Sequence, residues 1–273
     1  LTLTPYFYTQ DDLTLDAKGM DIHALKVNSK DVEFTYDGQQ LYIELASAVT
    51  KGQNITVLVD YTAKPSELEM NTASDAIEDD RGLYFINARG EDPNKPIQIW
   101  TQGEPESNSV WFPTIDKPNE RCTQEVFVTV EDQFVTLSNG LLIGSTDHGD
   151  GTRTDYWKQD LPHAPYLFML AIGDYAVVKD TWKDIDVHYF VEHEYEDNAR
   201  GIFKNTPEML SFFSEVLNYD FPWDKYHQVT VRDFVSGAME NTSAVIFGDF
   251  VQQTAREQLD MDFEDIVSHE LFH

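Results

Sequence analysis

Apolar and polar positions alternate with a period of two through most of residues 1–180. In DVEFTYDGQQLYIEL, Asp31 to Leu45, the alternation runs up to an Asp37-Gly38 pair and resumes after it. That is the pattern of two antiparallel strands joined by a tight turn. ITVLVDY (Ile55 to Tyr61) and QEVFVTVE (Gln124 to Glu131) predict further short strands, and Asp150-Gly151 inside STDHGDGTRTD predicts another hairpin. The acidic stretch SELEMNTASDAIEDD, Ser66 to Asp80, predicts a solvated surface loop. Helical spacing is nearly absent here, so an antiparallel β domain over residues 1–183 is the economical expectation.

The period changes after Lys183. Ile202, Phe203, Met209, Leu210, Phe213, Val216 and Leu217 recur at intervals of three and four, which predicts one or two amphipathic helices with Pro207 near a helix start. A second, mixed domain is therefore expected over 184–273. Its last segment, FEDIVSHELFH, predicts a helix capped by Asp262, with Glu264 and Asp265 favourably placed in the first turn.

Composition narrows the partners. Lys and Arg number 19 against 49 Asp and Glu, a formal charge of −30, so nucleic acid and anionic membrane surfaces would be repelled. Solubility, a saline habitat or cationic substrates would each suit such a surface. A lone cysteine, Cys122, excludes an intramolecular disulfide and a cysteine-based zinc knuckle. The longest apolar run, YLFMLAIG from Tyr166, falls far short of the roughly 20 residues of a membrane span. The chain opens inside a strand-like LTLTPYF without a start methionine and stops at His273, so both ends read as cut and targeting is not legible.

The last helix carries the candidate chemistry. At about 100° per residue, His269 and His273 stand about 40° apart around the axis and Glu270 shares their face. Two imidazoles one turn apart can both reach a Zn²⁺ at about 2.0 to 2.1 Å, with the intervening glutamate placed to take a proton from the activated water. The plainer alternative is a helix that happens to carry two histidines. HEYED at His193 shows that alternative, with Asp197 where a second histidine would stand. A catalytic zinc needs three protein ligands and an open position. The third would be an upstream carboxylate or a residue past His273.

Upstream stands VSGAMENTSAVIF, centred on Gly237, Ala238, Met239, Glu240 and Asn241. Gly-Ala-Met-Glu-Asn ahead of His-Glu-x-x-His resembles the M1, or gluzincin, family of zinc aminopeptidases. YDFPWDKYHQVTVRDF, TQGEPESNSVWFPTIDKP and PYLFMLAIGDY are similar to other stretches of that family, so the resemblance covers most of the chain. It implies an α+β molecule: an antiparallel, saddle-like β-sandwich domain followed by the start of a thermolysin-like catalytic domain. It implies His269 and His273 as ligands of one zinc per catalytic site and Glu270 as general base. Glu240, helped by Glu104 and Gln102, would bind the free α-amine of a peptide substrate, and the Gly237-Ala238 backbone would line the peptide as an extra strand. A glutamate third ligand and an oxyanion-stabilising tyrosine are expected beyond His273, together with the rest of the catalytic domain and a helical domain. The 273 residues are accordingly expected to bind zinc weakly and not to turn over peptides.

Three rival readings stay open at this point. A relative could use the same zinc for epoxide opening, a degenerate peptidase could serve as a scaffold, and a thermolysin-like endopeptidase also carries His-Glu-x-x-His. The sequons at Asn54 and Asn241 are read as chance matches, the second being poorly placed for a glycan.

Overall fold

The structure is a computed structural model that describes residues 1–69 and 77–273. The first part is built from small antiparallel sheets, as alternating sequence dictates. The hairpin around Asp37-Gly38 forms from Phe34–Tyr36 and Gln40–Val49, with Gly38 at φ +90°. Gln10–Asp16 joins its other side, while Met20–Val27 and Ile55–Ala63 pair in a second sheet. Leu15, Leu41 and Ile43 from one sheet meet Leu25 and Val57 from the other in one buried core, which makes this a sandwich.

A second pair of sheets follows. Leu83–Ile86, Gln98–Thr101, Leu170–Gly173 and Val135–Ser138 form one; Cys122–Glu131, Thr152–His163 and Leu141–Asp147 form the other. The Asp150-Gly151 turn joins the last two strands of that set, as its sequence predicts.

The third sheet is mixed. Tyr189–Val191, His227–Val231 and Ala244–Gly248 run parallel, flanked by Ala176–Val178 on one edge and Ala238–Met239 on the other. His227–Val231 and Ala244–Gly248 are buried at every position, because parallel strands are covered on both faces. Ala244–Gly248 is a short apolar run without alternation, and His227–Val231 buries its polar Gln228 and Thr230 along with its valines. One face packs under the helices Ala199–Ile202, Thr206–Leu217 and Glu264–Phe272, with Val245, Phe247, Leu210, Val267 and Leu271 in one core. The other face packs on the second pair of sheets, where Val229, Val231, Ala244 and Ile246 meet Trp100, Leu137, Trp157 and Ala171. The two parts of the chain thus share a continuous apolar interface, and each fully buried large side chain in it contributes roughly 1.5–3 kcal/mol.

Four expectations need correction. The division at 183/184 cuts through the mixed sheet, because Ala176–Val178 pairs with Tyr189–Val191. The last helix begins after Phe263, with no side-chain cap; Asp262 Oδ1 lies at 3.5 Å from the Glu264 amide. Val216 and Leu217, at 64% and 54% exposure, stand clear of the core although they continue the apolar spacing of their helix. The acidic stretch 66–80 lies partly outside the described residues, and its far end is only partly solvated: Ile77 and Asp79 are buried, Glu78 is exposed, and the Glu78 amide donates to Val235 O at 3.1 Å.

Candidate active site

The last helix is held by Val267 and Leu271, which insert into the core under the mixed sheet. That anchoring turns the opposite positions outward: His269 and His273 are exposed, with ring centroids 4.8 Å apart, while Glu270 is only 7% exposed. The two imidazoles share one helix face, as their spacing requires.

Glu240 reaches this helix from a hairpin. Ala238–Met239 pairs antiparallel with Ala244–Gly248, and the connecting loop is closed by the Ala244 amide donating to Asn241 O at 3.0 Å. Glu240 Oε1 lies 3.6 Å from His273 Nδ1. Met239 and Asn241 are each 1% exposed, so neither side chain is open to solvent; this burial also leaves Asn241 no room for a glycan. Ala238–Met239 is the edge strand of its sheet.

The third contribution comes from the chain leaving Gln98–Thr101. The Gln102 amide donates to Gly82 O at 2.9 Å, and its side chain is 1% exposed with neither amide atom partnered among the described residues. Glu104 follows, and its carboxyl is pushed up by burial and then by the charge of Glu240, with His273 opposing. Glu270 is pushed up to about 8, chiefly by burial and then by Glu240 and Glu104. Three carboxyl groups from segments far apart in sequence therefore lie within reach of one another's charge, Glu270 buried, Glu240 half-buried and Glu104 exposed. Like charges so placed raise one another's pKa until a cation enters among them.

The structure adds residues that spacing does not reveal. Tyr166 lies close enough to Glu240 and Glu104 for both charges to raise its hydroxyl pKa, after burial. Asn108, fully buried, donates to Pro165 O at 2.6 Å and Phe168 O at 2.9 Å, seating Tyr166 from one side. PYLFMLAIGDY draws attention to this segment as a strand, and nothing in it announces a site.

Among the described residues no group of three or more His, Cys, Asp or Glu could hold a metal ion. The exposed imidazole pair with a buried carboxyl beside it still fits two of the three protein donors that a catalytic zinc takes. No helix among the described residues is long and apolar enough to cross a membrane.

Comparison with known proteins agrees with this architecture. Residues 4–167 match the Peptidase M1 N-terminal domain and residues 202–273 the Peptidase family M1 domain, so the chain belongs to the M1 peptidase family, a family of zinc metalloproteases. It is 24% identical to endoplasmic reticulum aminopeptidase 1 of Mus musculus over 86% of this chain and 25% of that protein. It is 26% identical to aminopeptidase N of Haemophilus influenzae over 96% of this chain and 29% of that one. A crystal structure of Legionella pneumophila aminopeptidase A in complex with aspartic acid shares the fold, at a TM-score of 0.77 and 20% identity, over 97% of this chain and 30% of that chain. The chain thus spans about a quarter to a third of the length of the relatives it matches.

Proposed function

We propose that this chain supplies the amine-binding wall, the general base and two of the metal ligands of a zinc aminopeptidase. The observation that carries the reading is the convergence of Glu104, Glu240 and Glu270 on one space beside His273. An endopeptidase has no use for a carboxylate pair that seeks a cation, whereas an exopeptidase must hold a protonated terminal amine at one fixed place. The aminopeptidase relatives support the same reading at the level of the family.

His269 and His273 would hold the zinc, with the third donor supplied from outside the described residues. When bound, zinc polarises a peptide carbonyl and makes water acidic enough to react at neutral pH. Glu104 and Glu240 receive the substrate ammonium by charge-assisted hydrogen bonds, which fixes the first peptide carbonyl near the imidazole pair. Ala238–Met239 ends its sheet, and an extended peptide would add there as one more strand at the half-buried Ala238. Glu270 takes the proton of the attacking water on a carboxylate oxygen and returns it to the leaving amine.

The test is hydrolysis of alanyl and leucyl p-nitroanilides by the full-length protein, beside their N-acetylated forms. Glu270→Gln should lose nearly all turnover, and Glu240→Gln should raise KM for free-amine substrates at least about 10-fold. Equal cleavage of acetylated substrates would remove the amine site and favour an endopeptidase; no cleavage at all would favour a scaffold.

A further inference from the structure

Lys225 is buried to 1% exposure at the join between the two parts of the chain, and neither zinc nor amine has any use for it. Its Nζ donates to Ser138 O at 2.9 Å, to Ser243 O at 3.0 Å and to Ser243 Oγ at 3.2 Å. Its ammonium also lies 5.5 Å from the Trp157 ring centroid. Three donors meet three acceptors, and two of those acceptors belong to the loop that carries Glu240.

That loop is held from both parts of the chain. Gly140 N donates to Ser243 Oγ at 2.9 Å, and Asn139 Nδ2 donates to Thr242 O at 2.8 Å. The same Asn139 amide donates to Leu167 O at 2.9 Å and accepts from Met169 N at 2.8 Å, which ties in the segment bearing Tyr166. His227 N completes the set by donating to Ser243 O at 3.0 Å. Gly140 is required for this approach, since at φ +70° an added Cβ would fall 1.8 Å from Lys158 O.

We infer that Lys225 is a positioning residue for the amine site, fastening residues 242–243 to the β domain so that Glu240 stands at a fixed place opposite Glu104. The inference rests on the aminopeptidase reading. Stability alone does not account for a lysine here: a buried cation with no carboxylate bonded to it carries a desolvation cost that an apolar side chain of similar volume avoids. What the ammonium adds is a three-point attachment, and the attached residue is three positions from Glu240.

The experiment is steady-state hydrolysis of alanyl p-nitroanilide by the full-length protein and its Lys225→Met, Ser243→Gly and Glu240→Gln variants, with the double variant of Lys225 and Glu240. Lys225→Met should raise KM about 10-fold with kcat changed less than about 2-fold, and Ser243→Gly should raise KM about 3-fold. In the Glu240→Gln background, Lys225→Met should change KM less than about 2-fold, because both act through one contact. Glycine accepts the φ of +63° at Ser243 and removes the hydroxymethyl group with its Oγ acceptor while leaving the backbone carbonyl, so this variant decides the matter if Lys225→Met does not fold. Unchanged KM with a smaller active fraction would show plain structural support and overturn the inference, as would additive effects in the double variant. A wild type that cleaves acetylated substrate equally well removes the amine site and the inference with it. A wild type that demands the free amine, with KM unmoved in both joint variants, removes the inference alone.

Discussion

Gly103 sits between Gln102 and Glu104, and a Cβ added there would lie 2.3 Å from both Asn108 Nδ2 and Tyr166 O. One of those atoms is backbone and the other is pinned by two hydrogen bonds, so neither can give way cheaply. Gly103→Ala should destabilise the chain by about 1–3 kcal/mol in urea unfolding and reduce the preference of the full-length enzyme for free-amine substrate. Glu270 makes a different prediction. Its folded-state pKa of about 8 exceeds the ordinary 4.5, so the folded chain keeps a proton that the unfolded chain releases. The stability of the neutral form is therefore present below 4.5 and lost as pH rises through about 8. With EDTA present, Glu270→Gln should raise stability at pH 9 by up to about 5 kcal/mol, about 1.4 kcal/mol for each pH unit between 4.5 and about 8, and leave it unchanged at pH 4. A variant no more stable than wild type at pH 9 would show that Glu270 is ionised at little cost. His269, Glu270 and His273 stand out in the sequence because their relation is one helical turn. Asn108 and Lys225 do not, because their partners lie 57 and 87 residues away.

At the scale of elements, the strand Thr152–His163 ends on a histidine stacked against Phe168, ring centroids 4.4 Å apart, at the start of the segment that carries Tyr166. Both His163 nitrogens are buried without a partner among the described residues, and burial, helped by the charge of Arg121, holds the ring down to about 3. The unfolded chain binds this proton below 6.5 and the folded chain only below about 3, so stability falls as pH drops through that window. His163→Phe keeps the stack and removes the proton. Its unfolding free energy should fall less steeply between pH 6 and 4 than that of wild type, by about 1 kcal/mol per pH unit. Parallel slopes would mean that the imidazole charges without leaving its place. His227, held down by burial and then by Lys225 and His188, leaves a remaining acid slope in both proteins. Hairpins around Asp37-Gly38 and Asp150-Gly151, and the helix with Pro207 in its first turn, were legible because turn chemistry and periodicity are local. The parallel strands His227–Val231 and Ala244–Gly248 were not, because the first buries polar as well as apolar positions, the second is too short an apolar run to show a period, and their pairing is set by partners elsewhere.

For the whole molecule, the formal charge of −30 was legible at once, but composition could not say whether it crowds one site or covers the surface. Both happen. Glu104, Glu240 and Glu270 gather in one space, while most of the remaining carboxylates stand on exposed positions with few cations to meet them. Several of the available cations are already engaged: Arg232 bridges Glu192 and Asp249, Arg153 pairs with Asp155, and Arg81 pairs with Asp79. The uncompensated surface charge repels itself most in the compact state. Screening shortens its reach from about 10 Å at 0.1 M salt to about 3 Å at 1 M. Thermal melts in NaCl should therefore show the midpoint rising by several degrees between about 0.05 and 1 M, with choline chloride acting like NaCl because the effect is one of screening. A rise with NaCl alone would point instead to sodium bound at particular carboxylates. A midpoint that falls with both salts would mean that ion pairs such as Arg232 with Glu192 outweigh the repulsion.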